Sequence, residues 1–387
     1  MSGDRVWTGE LNDDVRIGGR VGLYDTTLRD GEQTVGVVLD PEQKLEIAGL
    51  LDELGIDRIE AGFPRVSPED QRAVELIQAA ELRADVWGFS RALRADVDAL
   101  LELGLRAAVI EAPVSERKLD ALLLDHQEVL RRIDDAVSHA VESGMTIAFF
   151  GVDGTRADLG FLETVYKTAH QAGAQEAVVV DTIGVAAPEA VGNLVAGVRA
   201  WLGPDVPIHF HGHNDFGLAT AGAVAAVRAG ATWVHGTING MGERAGNANL
   251  GEVAMALHAL YGTQTNLRLD RLREVSSRVQ ELSGYELEPW KPVVGENLFT
   301  RESGAVASQF HDPPAIEPFA ADLVGAERRI VLGKKSGVDS IRIKCDELGL
   351  DVAEEEYRDL LAQVKRIAAE RHGLVSDEEF RALVERS

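Results

Sequence analysis

Cysteine and positive charge are both scarce in this chain of 387 residues. The single cysteine, Cys345, rules out an internal disulfide and a cysteine-based zinc site, and we expect it to be a buried helix residue. Lysine and arginine number 39 against 64 aspartates and glutamates, giving a formal net charge of -25. Nucleic acids and anionic membranes bind basic surfaces, so this balance argues against both as partners. An anionic substrate must therefore be held by a few local cations or by a metal ion.

Long apolar runs and targeting signals are missing as well. No stretch of about 18 apolar residues occurs, so the sequence predicts no membrane span. The chain as far as Gly19 is polar and acidic, which is not the pattern of a signal peptide. We therefore expect residues 1–20 to be a flexible leader and the protein to be cytoplasmic.

Beyond the leader, short apolar runs alternate with amphipathic stretches about every 30 residues. The apolar runs predict eight strands: Val21–Thr26, Arg58–Phe63, Asp85–Phe89, Ala107–Ala112, Thr146–Phe150, Glu176–Asp181, Ile208–His211 and Thr232–Thr237. The stretches between them predict helices, many closed by a glycine that suits a C-terminal cap: Pro41–Leu54, Pro68–Ala80, Asp125–Ser143, Leu159–Ala172, Pro188–Leu202, Leu218–Ala229 and Leu250–Tyr261. This alternation predicts an α/β fold, a (β/α)8 TIM barrel over residues 21–265, with an open doubly wound sheet as the alternative.

The pattern changes after the barrel, where residues 266–387 predict a linker followed by a mainly helical subdomain. Tyr285–Gly337 is long, aperiodic and rich in proline and glycine, as lids and crossing linkers often are. The helices expected around it are Leu267–Ser283, Lys335–Leu348, Asp351–His372 and Ser376–Glu385.

The most informative stretch is Ile208–Asp215, a strand end that runs into a polar turn. Side chains alternate along a strand, so His209, His211 and His213 project to the same side. Two imidazoles spaced in this way can bind one divalent cation. The alternative is a row of histidines satisfied by ordinary hydrogen bonds.

Other polar side chains follow the predicted strands. Asp30 offers a hard metal ligand, and Arg29 offers a guanidinium that can stabilise a developing oxyanion. A glycine-rich loop, Asn239–Asn247, follows the last barrel strand, and Glu60 and Thr182 also stand at strand ends. Because the carboxyl ends of barrel strands share one mouth, we expect a mixed oxygen and nitrogen site that suits Mg, Mn, Co or Zn.

Three motifs in these stretches resemble those of a known family. They are Asp-Thr-Thr-Leu-Arg-Asp-Gly-Glu-Gln at 25–33, His-Gly-His-Asn-Asp at 211–215 and Gly-Glu-Arg-Ala-Gly-Asn at 242–247. The sequence is similar to the DRE-TIM metallolyases, in the branch of homocitrate synthase and 2-isopropylmalate synthase. Further on, residues 289–297 and 331–337 look most like the nitrogen-fixation-type homocitrate synthases. The resemblance spans about 23–337 and implies a metal-dependent acyltransferase that condenses acetyl-CoA with a 2-oxo acid.

The resemblance also implies roles for individual residues. It implies a metal held by Asp30, His211 and His213, with Asn247 as a further or weak ligand. Arg29 would polarise the ketone and steady the alkoxide, while Glu60 and Thr182 would lie near the 2-oxo acid. In this family a lid crosses to cover the partner's barrel, so we expect a homodimer that exchanges Tyr285–Gly337.

Part of the site departs from the family pattern. The family's catalytic histidine in the linker is Val306 here, and its tyrosine is Ile316. Ala148 stands where homocitrate synthases of lysine pathways carry an arginine, and Phe150 supplies no cation either. This apolar wall favours an acceptor with an apolar side chain, such as 2-oxoisovalerate, unless Arg301 reaches the acceptor from the lid.

Several explanations of these departures stay open. His311 or Glu302 takes over as the base, or the enzyme uses another acceptor, as a 2-isopropylmalate, citramalate or phosphonomethylmalate synthase does. A metal-dependent lyase or aldolase of the same superfamily is a further alternative. Arg301 binds an anionic group of the acceptor, or it is a solvated lid residue. A non-catalytic binding protein is disfavoured because metal ligands and the oxyanion stabiliser occur together.

Overall fold

The structure, a computed structural model, describes residues 5–386. These residues form two compact units. One unit spans Asn12–Glu286 and contains the barrel. The other combines the chain from Leu287 onward with the N-terminal residues up to Leu11. No helix of the described chain is both long and apolar enough to cross a membrane.

Eight parallel strands close into a barrel in the order in which they occur along the chain, and β1 pairs with β8. This confirms the (β/α)8 prediction over the open sheet. The sixth strand has the predicted bounds, and the others differ from them only at their ends. The strands are β1 (Gly22–Asp25), β2 (Arg58–Glu60), β3 (Asp85–Arg91), β4 (Ala107–Pro113), β5 (Thr146–Val152), β6 (Glu176–Asp181), β7 (Ile208–Gly212) and β8 (Trp233–Gly236).

Ten helices belong to the barrel unit: α1 (Pro41–Leu54), α2 (Pro68–Ala79), α3 (Arg94–Glu102), α4 (Glu116–Leu122), α5 (His126–Glu142), α6 (Leu159–Gln171), α7 (Pro188–Leu202), α8 (Ala219–Arg228), α9 (Leu250–Tyr261) and α10 (Leu272–Ser283). No bounds were predicted for α3, although Gly104 was expected to end a helix there, and the short α4 was not predicted. The helix expected from Leu267 begins only at Leu272, because Leu269–Arg271 forms a 3-10 turn. The barrel unit also extends past the expected boundary at residue 265, because α10 packs against α1.

Local signals explain why some helices have the predicted bounds. The Asp40 carboxylate accepts a hydrogen bond from the Gln43 backbone amide, and the Gln43 side chain accepts one from the Asp40 amide. This capping box, with Pro41 in the first turn, fixes the start of α1. Gly55 ends the helix at a φ of 89°, a conformation that glycine adopts without strain.

Side chains fill the barrel interior, so it is a packed core and not a pore. A buried cluster holds Tyr24, Trp87, Phe89, Val109, Ala148, Phe150, Val178 and Val180. Nearer the amino ends of the strands, Arg58 donates two hydrogen bonds to Glu176, at 2.6 and 3.0 Å. The Arg58 guanidinium also lies over the rings of Trp87 and Trp233, at 4.4 and 3.7 Å. The guanidinium is therefore held by the Glu176 carboxylate and by two aromatic rings inside the barrel.

The second unit contains a short parallel strand pair, β9 (Thr300–Arg301) and β10 (Arg329–Ile330), and the helices α11 (Gly304–Ala307), α12 (Val338–Leu348), α13 (Tyr357–Arg371) and α14 (Asp377–Val384). The last three agree with the predicted helices apart from their ends. Cys345 is 1% exposed in the core of this unit, which confirms the expectation that it is buried in a helix.

The described part of the expected flexible leader is ordered. The Trp7 amide donates to the carbonyl of Pro318 at 2.8 Å, and the Ala320 amide donates to the carbonyl of Arg5 at 2.9 Å. Residues 10–15 form a 3-10 helix. Backbone pairing of this kind does not depend on hydrophobic periodicity, so composition alone did not indicate it.

Candidate active site

Three predicted metal ligands meet at the barrel mouth. Asp30 follows β1, His211 lies in β7, and His213 comes directly after that strand. The Nε2 atoms of His211 and His213 lie 3.2 and 3.5 Å from the same oxygen, Oδ2 of Asp30. One potential ligand atom from each residue lies within 4.8 Å of the others, and all three residues are buried. His209, one pleat below, bonds instead to Glu176 and His235.

Unpartnered polar atoms indicate that this cluster fits a cation. Oδ1 of Asp30, the Nδ1 atoms of His211 and His213, and Oδ1 of Asn247 are buried without a hydrogen-bond partner in the described chain. Asn247 forms a backbone bridge with His213, and its Nδ2 donates to the carbonyl of Met241 at 3.0 Å. Buried polar atoms are normally paired, so unpartnered oxygens and nitrogens on four neighbouring residues suit a divalent metal.

The protonation states also suit a metal. Burial lowers the pKa of His211 to about 4, although its hydrogen bond with Asp30 acts in the opposite direction. Burial would raise the pKa of Asp30, but the Arg29 guanidinium and the two imidazoles hold it well below its usual range. Neutral imidazole and ionised carboxylate are the forms that bind metals.

Arg29 is fixed beside this triad. Its Nε donates to Oε1 of Glu60 at 2.7 Å, and its Nη1 lies 3.3 Å from Oδ2 of Asp30. The guanidinium carbon lies 4.1 Å from the centre of the Phe89 ring. Burial opposes the charge of Arg29, but Glu60 and Asp30 outweigh it and raise the arginine's pKa. The result is a permanently charged, oriented donor next to the metal ligands.

The residues predicted to surround the acceptor occupy different levels of the barrel. The Phe150 ring lies 5.1 Å from the His211 ring and 6.0 Å from the Phe89 ring, between centroids. Ala148 lies one pleat deeper in the same core cluster. Oγ1 of Thr182 accepts a hydrogen bond from the Asp153 amide at 2.7 Å.

A tight loop places Asn247 next to the histidines. Gly246 has a φ of 81°, and a Cβ added to it would lie 1.9 Å from the carbonyl oxygen of Gly240. The Gly246 carbonyl accepts from the Asn214 amide at 2.9 Å, and the Asn247 amide donates to Gly240 at 3.0 Å. A glycine is therefore needed at position 246 because two backbone segments approach too closely there for a side chain.

Arg301, Glu302 and His311 all belong to the second unit. Arg301 Nη1 donates to the carbonyls of Leu298 and Thr300 at 2.8 and 3.0 Å, and its side chain is only 15% exposed. It is therefore not the solvated lid residue considered above. Oε1 of Glu302 accepts from the Lys335 amide at 2.9 Å. His311 is exposed.

The sequence interpretation did not single out Glu111. This residue lies in β4 on the same face as Val109, which is part of the interior cluster, and it is in register with Arg91 on β3 and Phe150 on β5. Burial raises the pKa of Glu111 to about 7, against the opposing fields of Arg29 and Arg91. The alternation of side chains along β4 could have indicated Glu111, because this acidic residue occupies an inward position of an otherwise apolar strand.

Fold and site together define a class, a TIM-barrel protein with a candidate metal centre of one carboxylate and two imidazoles at the carboxyl ends of the strands. Family comparison agrees with this class. The model named HMGL-like matches residues 20–279, and the model named Homocitrate synthase post-HMGL domain-like matches residues 293–372. The chain belongs to the HMGL-like family, in the group that carries this second domain.

Curated relatives support the same assignment, and a solved structure shows the same fold. The "Putative (R)-citramalate synthase CimA" of Methanopyrus kandleri is 44% identical over 97% of this chain and 74% of its own length. The "Homocitrate synthase AksA" of the same organism is 45% identical over 94% of this chain and 91% of its own. Its "Probable 2-isopropylmalate synthase" is 43% identical over 90% of this chain and 70% of its own. The HMG-CoA lyase of Bacillus subtilis superposes with a TM-score of 0.64 at 20% identity, over 71% of this chain and 97% of the lyase, which shows a shared fold.

Proposed function

We propose that this protein is an acyltransferase that condenses acetyl-CoA with a 2-oxo acid. A divalent metal, Mg, Mn, Co or Zn, would be held by Asp30, His211 and His213, with Asn247 as a weaker ligand. The observation that carries the proposal is the buried ligand set, several of whose atoms have no partner in the described chain, beside the oriented guanidinium of Arg29. Relatives named as citramalate, homocitrate and 2-isopropylmalate synthases support the same chemistry.

The chain's own residues would act mainly by orientation and charge. When bound, the metal would supply Lewis acidity that makes the keto carbon of the acceptor electrophilic. Arg29 donates toward the keto oxygen as it gains negative charge, and Glu60 holds the guanidinium in that orientation. A donor that is already oriented in a site shielded from water stabilises the developing oxyanion without reorganising during the reaction.

Removal of a proton from the acetyl methyl group requires a base, and Val306 and Ile316 provide none. We propose His311 for this role, with Glu302 as the alternative. Exposure of His311 leaves its imidazole accessible to a substrate, whereas one Glu302 oxygen already accepts the Lys335 amide. His311→Gln and Glu302→Gln, assayed for exchange of the acetyl-CoA methyl protons in D2O, would separate the two candidates.

The acceptor would lie against Phe150 and above Ala148, with Glu60 and Thr182 at the polar side. Arg301 is the predicted contact for a second anionic group of the acceptor. Its hydrogen bonds to backbone carbonyls support the alternative, that it shapes its own segment. Arg301→Ala would raise the KM of the acceptor far more than that of acetyl-CoA if the contact exists, and would affect only stability if it does not.

Assembly and location complete the proposal. The family resemblance supports a homodimer that exchanges the segment Tyr285–Gly337. A cytoplasmic location is the expectation from the sequence, which has no signal-peptide pattern in its first residues and no long apolar run. Light scattering at micromolar concentration tests the dimer, and a monomer would contradict it.

A thiol-release screen tests the reaction itself. Metal-loaded protein is incubated with acetyl-CoA and a panel of 2-oxo acids, with Asp30→Asn as the control that removes a ligand. Release of CoA with at least one acceptor, absent from Asp30→Asn, is the expected result. The family's catalytic histidine and tyrosine are replaced here by Val306 and Ile316, and this favours a second candidate function, a lyase or aldolase. Cleavage of a 3-hydroxyacyl-CoA in the absence of any thiol release would assign that activity instead.

A further inference from the structure

Glu111 is an acidic group in the barrel mouth that has no role in the chemistry described above. Cα register places it between Arg91 on β3 and Phe150 on β5. The Phe150 ring contacts the ring of the metal-ligand candidate His211, at 5.1 Å between centroids. Glu111 therefore lies beside Phe150 on the neighbouring strand, and Phe150 in turn contacts the metal-ligand candidate His211.

The two arginines that act on Glu111 already have other partners. Nε and Nη2 of Arg91 donate to the two oxygens of Asp96, at 2.7 and 3.1 Å. Arg29 is bound to Glu60 and Asp30. Lys118 is the remaining cation that acts on Glu111, and it has the smallest effect on the carboxyl group's pKa among the groups that act on it. No hydrogen bond or ion pair to the Glu111 carboxyl group is found in residues 5–386.

Space for a ligand group is present beside this carboxyl group. Glu111 and Arg91 line a cavity of about 270 Å³ together with Leu93, Pro113, Leu124 and Arg132, and Arg132 is already bound to Glu128. Phe150 is not part of this lining but is in register with Glu111, so a short substrate side chain that passes Phe150 would meet the Glu111 carboxyl group. Glu60 lies outside the lining, and its negative charge also acts on Glu111.

We propose that Glu111 selects the acceptor, favouring a 2-oxo acid whose side chain ends in a hydrogen-bond donor such as a hydroxyl and rejecting one that ends in a second carboxylate. This inference rests on the proposed function, because it assumes a 2-oxo acid in the mouth. A hydroxyl group on the acceptor would donate a hydrogen bond to the Glu111 carboxyl group, which has no partner within the described protein. Pairing a partly buried polar group in this way is a strong source of selectivity. A carboxylate at the far end of the acceptor would instead face Glu111 and Glu60. The neighbouring arginines already bind other carboxylates and are not free to bind this one.

Isosteric acceptors provide the test. Binding of 4-hydroxy-2-oxobutanoate, 2-oxopentanoate and 2-oxoglutarate to the magnesium-loaded protein is measured by calorimetry without acetyl-CoA, at a pH of about 8.5, where a group with a pKa of about 7 is ionised. CoA release is measured separately. The wild type should prefer the hydroxyl compound to its methyl isostere by about tenfold or more, a difference that one charged hydrogen bond can supply. Glu111→Leu should abolish that preference, and Glu111→Gln should improve 2-oxoglutarate by about tenfold. Glu102→Gln, at the exposed end of α3, is the matched control and should change neither.

Several outcomes would overturn the inference. Equal binding of the hydroxyl and methyl isosteres by the wild type is one, and tight binding of 2-oxoglutarate by the wild type is another. Loss of turnover with every acceptor in Glu111→Gln, at unchanged binding, would make Glu111 a proton-transfer residue instead of a selector. Selective binding without any CoA release would retain the inference and refute the acetyl-CoA condensation, so the two failures are distinguishable.

Discussion

Arg29 and Glu60 form a buried pair in which a nitrogen of the guanidinium, Nε, donates to a carboxylate oxygen at 2.7 Å. A second contact, from Nη2 to the other oxygen, measures 3.5 Å. The two residues lie 31 positions apart, after β1 and at the end of β2. Neighbouring strands of the barrel therefore supply the donor and the group that orients it.

Replacing Glu60 tests whether orientation of Arg29 matters. Glu60→Gln keeps the shape but removes the charge, so Arg29 should lose its fixed direction. We expect kcat to fall about ten- to hundredfold, because misplaced catalytic groups are costly, with metal content unchanged. Steady-state kinetics and metal analysis of the same preparation check this. Unaltered kcat would show that Glu60 is only a structural counter-ion.

Removing a metal ligand should remove metal and activity together. His213→Ala leaves Asp30 and His211 in place, but an incomplete ligand set binds weakly. Metal analysis should show loss of the bound ion, and thermal unfolding should lose the stabilisation that added metal gives the wild type, about 2.7 kcal/mol at a hundredfold excess over Kd. His126→Ala, at an exposed histidine paired with Glu116, serves as the control. Full activity of metal-stripped wild-type protein would contradict the proposal.

The loop that carries Asn247 should not tolerate a side chain at Gly246. Gly246→Ala would drive its Cβ to within 1.9 Å of the Gly240 carbonyl oxygen and so displace the neighbouring asparagine. Gly144 has nearly the same φ, 82° against 81°, but has nothing within 4 Å of an added Cβ. Both substitutions should destabilise the fold because of the positive φ, whereas only Gly246→Ala should weaken metal binding. Isothermal titration with the metal separates the effects, and equal affinities in both variants would rule out this role of the loop.

Acid stability should depend on Glu176. Burial would raise the pKa of Glu176, but hydrogen bonds from His209 and Arg58 lower it from 4.5 to about 2. A carboxyl group with a depressed pKa in the folded state stabilises the fold above its unfolded pKa and loses that contribution as the pH falls through the folded value. The free energy of unfolding should therefore drop between about pH 4.5 and 2, by about 3 kcal/mol at most.

Urea unfolding at several pH values measures this slope. Glu176→Gln should be less stable at neutral pH, because Arg58 loses its ionised partner, and its stability should change less across the same interval. Parallel curves for the two proteins would show that other carboxyl groups govern the acid transition.

Restoring the residues that the family has in the linker tests the altered half of the site. The double variant Val306→His with Ile316→Tyr should raise turnover of acetyl-CoA on an accepted 2-oxo acid, since it supplies an acid–base pair. The single variants are the controls, and each should gain less than the pair. No gain on any acceptor would mean that the base lies elsewhere or that the natural reaction is not this condensation.

The sequence by itself determined the barrel and predicted which residues would meet at its mouth as candidate metal ligands. Strand and helix periods alternate clearly over residues 21–265, Arg29 and Asp30 follow β1, His211 lies in β7, and Asn247 is in the loop after β8. Closing the barrel in chain order makes β1, β7 and β8 neighbours, so residues far apart in sequence were predicted to meet. Alternation along β7 was enough to place His211 and His213 on one face.

Only the tertiary structure determined which polar side chains have partners and which have shifted pKa values. The orphaned atoms of Asp30 and Asn247, and the committed arginines around Glu111, depend on distances between side chains from different elements. The ordered pairing of Trp7 with Pro318 also went unpredicted. The spacing of hydrophobic residues indicates which face of a helix or strand is buried. The pKa values, hydrogen bonds and charge balance of its polar side chains depend on neighbours from other elements, which only the folded chain brings within a few ångströms.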